Sequence, residues 1–425
     1  MRKPNLILIT LDEVRPDHLS CYGYQRINTE NIDKLAKDGV LFETCISASC
    51  FTPIAHASLL TGMYPNVHGV RDPYCVLQST TIAQILKENG YRTAGFVGNG
   101  LLGAKHGFNA GFDYYDEPKE GEEIFERHRY PDEEQREMFL MGNWWIPRAV
   151  EWIRENSSSN FFIWGHFYHT HEGSEHYLLE KGLLKEGELS EFQYYDAKIK
   201  LADEKVIKPI VSTIEELGLY DNTYFVVMSD HGTTLGEHPA EPIPWRKEVT
   251  YPQHTNMWDT DLKVALIIKA EGLPKGKKVK GMVRSIDVLP TLLELLGIST
   301  NLSLDGTSLI PFVEKGEASG LVAYAEELYE RRGPGALQAI RTDNYKFIRN
   351  LSEGTEALYN LKEDPGEQNN ILPNVWTQAE RKMLRAWREK MNAYLWKTTG
   401  LRQAAFSEEE KKRIEDRLRA LGYIE

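Results

Sequence analysis

The stretch SCFTPIAHASLLTG, residues 49–62, places a threonine where a loop meets a helix-like run. Thr52 reads as the N-cap and Pro53 as the first helical residue, followed by good helix formers. The start of a helix collects free N–H groups and the positive end of the dipole, so it attracts anions. A hydroxyl held there can attack an anionic ester once its pKa is lowered, and contact with a metal ion does that. Helix capping is the competing explanation for the same residue. The candidate metal ligands are Asp12, closing NLILITLD, and Asp230 with His231, closing TYFVVMSDHG. Two carboxylates with one imidazole suit zinc or manganese, whereas an all-oxygen shell would suit calcium or magnesium. A second cluster, His166, His169 and His171 in HFYHTHE with His254 in QHTNMWD, is expected to supply ligands or phosphate contacts.

These residues share a pattern: each follows an apolar run of strand length. NLILITLD ends at Asp12, RTAGFVGN at Asn99, NFFIWGH at His166, and TYFVVMSDHG at Asp230 and His231. Helix-like segments lie between them: TENIDKLAKDGV, TIAQILKENGY and DAKIKLADEKVIKPIVSTIEELG. Alternating strands and helices predict an α/β domain, a large mostly parallel sheet sandwiched by helices. Ligands in such sheets bind beyond the carboxyl ends of the strands, so the polar residues ending these runs are predicted to meet along one edge. After residue 310 the text turns to short strands and charged helices. The division is therefore predicted as 1–310 for the catalytic α/β domain and 311–425 for a smaller α+β domain. Residues 116–148 and 236–256 are polar or Pro-rich insertions of the length used for lids and binding loops. In the second, Trp245 and Arg246 offer an aromatic face and a cation to a substrate, with ordinary loop surface as the competing reading. His18, His68 and His238 are given structural roles.

At 425 residues the chain exceeds a single small core. Its net charge of −13, without a block of Lys or Arg, excludes a nucleic-acid scaffold. Acidity is awkward for an enzyme of anionic esters unless cations reverse the sign locally. No run of about 18 apolar residues predicts a membrane span. Four cysteines with no CxxC pair, and an N-terminal apolar run too short for a signal peptide, point to the cytoplasm. The partner expected is a small anionic ester, and homo-oligomerisation is left open.

The motifs LITLDEVRPDHLSCYGY, HASLLTGMYPNVHGV, YRTAGFVGN, VVMSDHGTTLGEH, SIDVLPTLLELLGI and ALYNLKEDPGEQNNI resemble, in this order, the sulfatase branch of the alkaline phosphatase superfamily. The resemblance implies that family's fold and metal-dependent ester hydrolysis. Formylglycine sulfatases carry C-x-P-x-R, and here those cysteine and arginine positions fall on Thr52 and His56. Tandem aspartates become Asp12-Glu13, the asparagine after the third aspartate becomes His231, and a Lys-x-His pair falls on Asn99 and Leu101. These departures resemble the branch with a threonine nucleophile and two transition metals, typified by nucleotide pyrophosphatases/phosphodiesterases and, more loosely, phosphonate monoester hydrolases. That likeness implies Asp12, Thr52, Asp230 and His231 around one ion, and His171 and His254 on a second. His169 or His166 stands where that branch has an aspartate. It further implies Asn99 as donor to a phosphoryl oxygen. The expectation is a hydrolase of phosphate or phosphonate esters with two divalent ions, zinc or manganese before calcium. Sulfate-ester hydrolysis, or phosphoryl transfer to an alcohol, is the alternative.

Overall fold

The computed structural model describes residues 3–118, 145–168, 190–238, 256–329, 335–374 and 377–396, together with 408, 411, 412, 414 and 415. Strand β1 (Asn5–Leu11) is buried along its whole length, and its side chains alternate between two cores. Leu6 and Leu8 join one, while Ile7, Ile9 and Leu11 join the other. A strand covered on both faces needs apolar residues at every position, which is why this run reads as continuous.

The strands that follow are β2 (Val40–Ile46), β3 (Arg92–Val97), β4 (Tyr114–Asp116), β5 (Phe161–Phe167), β6 (Thr223–Ser229), β7 (Lys263–Val264), β8 (Leu266–Lys269) and β9 (Lys277–Arg284). Among the described residues these nine strands form one sheet in the order β4-β3-β5-β1-β6-β8-β2-β7, with β9 paired to β2. Strand β1 is flanked in parallel by β5 and β6, and β3 and β4 continue in parallel beyond β5. Only β8 and β7 run against their neighbours. The mostly parallel sheet is the one expected. Strands β2, β8 and β9 escape the sequence reading because they are short or interrupted by charge, as in KKVKGMVR.

Helices Glu30–Asp38, Trp145–Asn156 and Lys208–Glu216 cover the Ile7 face through Leu35, Ala149 and Ile210. Helices Thr52–Thr61, Ile82–Glu88 and Val288–Leu295 cover the Leu6 face through Ala57, Leu86 and Leu292. The segment expected as one long helix is helical at Glu191–Ala202 and at Lys208–Glu216, with a π-helical stretch at Asp203–Ile207 between them. Pro209 has no N–H to return to the preceding turn, and the wider turn falls just before it. Asp203 within that stretch accepts from the N–H groups of Asn31 (3.1 Å) and Ile32 (2.8 Å), so it holds the start of the Glu30 helix.

A second sheet is wholly antiparallel: β10 (Ala323–Glu327), β11 (Leu337–Arg341), β12 (Tyr345–Asn350) and β13 (Thr355–Asn360). One face, with Tyr324, Ile340, Phe347 and Leu358, packs on helix Gln378–Trp396 through Leu384, Trp387 and Met391. The other brings Ala325, Leu337 and Ala339 against Ile46, Cys50 and Met282 of the large-sheet side. The N–H of Glu326 also donates to Ala48 O at 3.0 Å. The small sheet thus braces the loop that leads to Thr52. No described helix is long and apolar enough to cross a membrane. The four cysteines are free thiols.

One buried acid beside this junction makes stability depend on pH. Asp261 is fully buried, with Oδ1 accepting from the Thr234 hydroxyl at 2.9 Å and Oδ2 lacking a hydrogen-bond partner among the described residues. Burial pushes its carboxyl up to about 7. The fold therefore prefers the protonated acid. The stability this contributes is complete below about pH 4 and is lost as pH rises through about 7. Asp261→Asn keeps the Thr234 bond without the charge. Thermal unfolding should show it gaining roughly 3 °C more over wild type at pH 8 than at pH 5.

Candidate active site

Alternation and register together bring the polar strand ends to one place. Leu6, Leu8 and Thr10 of β1, Phe162, Trp164 and His166 of β5, and Val226 and Met228 of β6 follow the same alternate positions, toward one core. Thr10 pairs with His166, Val97 pairs with His166, and Leu11 pairs with Ser229, so the three strands stop level with β3. Asp12, Asn99 and Asp230 continue that alternation just past their strands. Helix Thr52–Thr61 lies across this face, and all ten of its residues are buried.

Thr52 is the first helical residue rather than the N-cap, a role taken by Phe51. Its hydroxyl caps nothing. Instead Oγ1 lies 3.2 Å from His231 Nε2. His231 Nδ1 is 2.9 Å from the carbonyl of Gly232, which can only accept, so Nδ1 bears a proton and Nε2 is the ring nitrogen turned toward the carboxylates. That Nε2 lies 3.5 Å from Asp12 Oδ1 and 3.6 Å from Asp230 Oδ2. Asp230 Oδ1 accepts from the N–H groups of His231 (2.8 Å) and Glu13 (3.2 Å), while its Oδ2 has no hydrogen-bond partner among the described residues. Glu13 takes φ 59°, a left-handed backbone that few residues other than glycine adopt. The Tyr195 hydroxyl donates to its carbonyl at 2.5 Å and holds that turn.

Asp12, Asp230 and His231 offer ligand atoms that all lie within 4.8 Å of one another, and all three are buried. Burial raises the Asp230 carboxyl above its ordinary value. Two carboxylates this close and this dry are costly unless a cation neutralises them. With a nitrogen lone pair between them, the set fits a divalent ion.

Asn99 follows β3, 3% exposed, with Oδ1 accepting from Leu101 N at 2.9 Å. Its Nδ2 has no hydrogen-bond partner among the described residues and remains available as a donor. His166 is buried, with Nδ1 3.0 Å from Thr10 Oγ1. His169, His171, His254, Trp245 and Arg246 lie outside the described residues. His18 contacts Asp196 at 2.7 Å, His68 contacts Ser58 at 2.9 Å, and His238 stacks on Trp258 with ring centroids 3.9 Å apart. Such contacts fit structural roles.

Two residues at this face were not singled out for chemistry from the sequence. Thr10 stands on the same alternation as Asp12, two residues earlier. His56 stands four residues after Thr52 on the helix, and its Nδ1 donates to Thr52 O at 2.8 Å. Burial pushes the His56 ring down to about 4, against the opposing pull of that bond, so it is neutral.

Residues 4–298 match the sulfatase family, and residues 248–394 match the C-terminal part of N-sulphoglucosamine sulphohydrolase. The chain is similar to an ulvan-active sulfatase of Formosa agariphila, 27% identical over 409 residues that cover 87% of this chain and 77% of that protein. It is also similar to the multifunctional alkaline phosphatase superfamily protein PehA of Trinickia caryophylli, 22% identical over 496 residues, covering 87% and 91% of the two chains. Among solved structures, the phosphonate monoester hydrolase of Agrobacterium radiobacter superposes with a TM-score of 0.70 at 20% identity, covering 93% of this chain and 96% of that one.

Proposed function

The chain belongs to the sulfatase family of ester hydrolases, and from that premise we propose that it cleaves phosphate or phosphonate esters with Thr52 as nucleophile. The observation that carries this reading is a threonine hydroxyl 3.2 Å from His231 Nε2 at the start of a buried helix. A threonine cannot become the aldehyde hydrate on which formylglycine chemistry depends. A sulfated threonine must then be cleared by attack at sulfur, whereas a phosphothreonine is cleared by ordinary attack at phosphorus. Sulfate esters are the second reading, favoured by the match to an ulvan-active sulfatase.

Asp12, Asp230 and His231 would hold a divalent ion, zinc or manganese by donor type, supplying Lewis acidity that lowers the pKa of a nearby hydroxyl. His171 and His254, with His169, are the proposed holders of a second ion. Thr52 Oγ1 loses its proton to solvent and attacks phosphorus, the bond to the alcohol oxygen breaks, and a phosphothreonine forms. Water then attacks phosphorus, and the Thr52 oxygen leaves and regains a proton. Charge on the equatorial oxygens is met by Asn99 Nδ2 and by N–H groups of the first helical turn. Pro53 has none to give and Ala55 N already donates to Phe51 O at 2.9 Å, so the backbone share falls to Thr52 and Ile54.

Metal-stripped protein resupplied with Zn²⁺, Mn²⁺ or Ca²⁺ tests this against nitrophenyl phosphate, phosphodiester, phosphonate and sulfate esters. Turnover of a phosphorus ester with Zn²⁺ or Mn²⁺ is expected. Turnover of the sulfate ester alone, with Ca²⁺, would reverse the ranking. Product alcohol and free anion in equal amounts would separate hydrolysis from transfer to a second alcohol.

A further inference from the structure

The loop that carries His231 is held by a piece of chain that follows it in sequence. Gly232 N donates to Asp261 O at 2.8 Å, and Gly232 O is the carbonyl that His231 Nδ1 meets at 2.9 Å. A Cβ on Gly232 would lie 2.1 Å from Thr260 O, so only glycine admits so close an approach. Thr260 and Asp261 belong to a short helical turn, Asp259–Leu262. The same turn reaches the chain leading to Thr52, where Leu262 O accepts from Ser47 N at 2.8 Å.

A turn of four residues is too short to persist unaided. The small sheet holds it. Asp259 accepts from Arg341 of β11 (Nη2 to Oδ2, 2.8 Å) and from Lys346 of β12 (Nζ to Oδ1, 3.0 Å). Lys346 has no exposed surface, and its Nζ also lies 2.9 Å from Glu367 Oε1. Glu367 in turn accepts from Asp259 N at 2.5 Å and sits at φ 55°, a left-handed backbone that its surroundings must maintain. Ion pairs this dry resist rearrangement, because parting them leaves a buried charge uncompensated.

We propose that Asp259 is a positioning residue: through it the small sheet seats the Asp259–Leu262 turn against Gly232 and so holds the ring of His231 in the site. The small sheet then supports the metal ligands as well as the loop before Thr52. This rests on His231 being a metal ligand.

The test follows amide hydrogen exchange at Gly232 in the metal-free, full-length protein. Asp259→Asn keeps the shape and drops the charge that Arg341 and Lys346 hold. It should speed exchange at Gly232 by about tenfold or more. Affinity for added Mn²⁺ should fall about tenfold, the lower end of the cost of disturbing a ligand's support. At saturating Mn²⁺, kcat on the fastest nitrophenyl ester should fall while KM stays within about twofold. Lys346→Met, at the other end of the same bond, should do the same. Leu384→Ala is the control, because Leu384 lies on helix Gln378–Trp396 against the opposite face of the small sheet. It should lower the unfolding temperature and leave Gly232 exchange and Mn²⁺ affinity unchanged. Should neither charge variant fold, wild type in sub-denaturing urea takes their place, and Gly232 should exchange in the same opening step as β12. Unchanged Gly232 exchange in Asp259→Asn or Lys346→Met, a Leu384→Ala protein that matches them in Mn²⁺ affinity, or a Gly232 amide still protected once β12 has opened would each overturn the proposal. A His231→Gln protein that bound Mn²⁺ as tightly as wild type would instead remove His231 from the ligand set, and the exchange result at Gly232 would stand.

Discussion

Thr52→Ala is expected to lower turnover by roughly 10⁴-fold or more, the scale seen when a covalent nucleophile is deleted. The substitution removes the oxygen that stands 3.2 Å from His231 Nε2 and leaves the helix backbone in place, since Phe51 and not Thr52 is the N-cap. Stability should change little, because one hydroxyl and one methyl are lost from a residue whose hydroxyl caps nothing. Thr52→Ser keeps the hydroxyl but frees χ1 from its β-branch, so it should retain a tenth or more of the wild-type rate. Acid-quenched protein measured by intact mass should carry one added phosphoryl group in wild type and none in Thr52→Ala. If Thr52→Ala retained a tenth of wild-type turnover, the covalent route would be wrong.

The second large effect is expected at Asp230. Asp230→Asn preserves the shape and the two N–H bonds that Oδ1 accepts from His231 and Glu13, and it removes the charge from the Oδ2 position. Metal content after dialysis and turnover should both fall by about 100-fold or more, on the scale of losing a ligand or its immediate support. Stability should move the other way in the metal-free protein. Burial raises the carboxyl of Asp230, so at pH 8 the wild-type chain ionises it at a cost that an amide does not bear. Metal-free Asp230→Asn should unfold at the same temperature as metal-free wild type or higher, and only wild type should gain stability on adding Zn²⁺ or Mn²⁺. A variant that bound the ion as tightly as wild type would take Asp230 out of the ligand set.

Much of this was legible before any fold was known. The apolar runs ending at Asp12, Asn99, His166 and Asp230 correspond to β1, β3, β5 and β6 and its neighbours, and a parallel sheet puts such ends on one edge. The helix beginning near Thr52 was readable from Pro53 and the residues after it, with its first residue displaced by one. The short or charged strands β2, β8 and β9 were not readable, because their place comes from pairing within the sheet rather than from their own pattern.

The sequence by itself determined local quantities: strand length, the period of two that puts Thr10 and Asp12 on one face, and where each apolar run stops. Those depend on neighbours along the chain. The tertiary structure decided which of these residues touch, since Thr52 meets His231 across 179 residues and His56 meets Thr10 across 46. It also decided that His231 turns Nδ1 to the Gly232 carbonyl and that Glu13 turns left-handed. Register and helix docking are set by burial of the whole core, and proton positions are set by the partners that burial brings into reach.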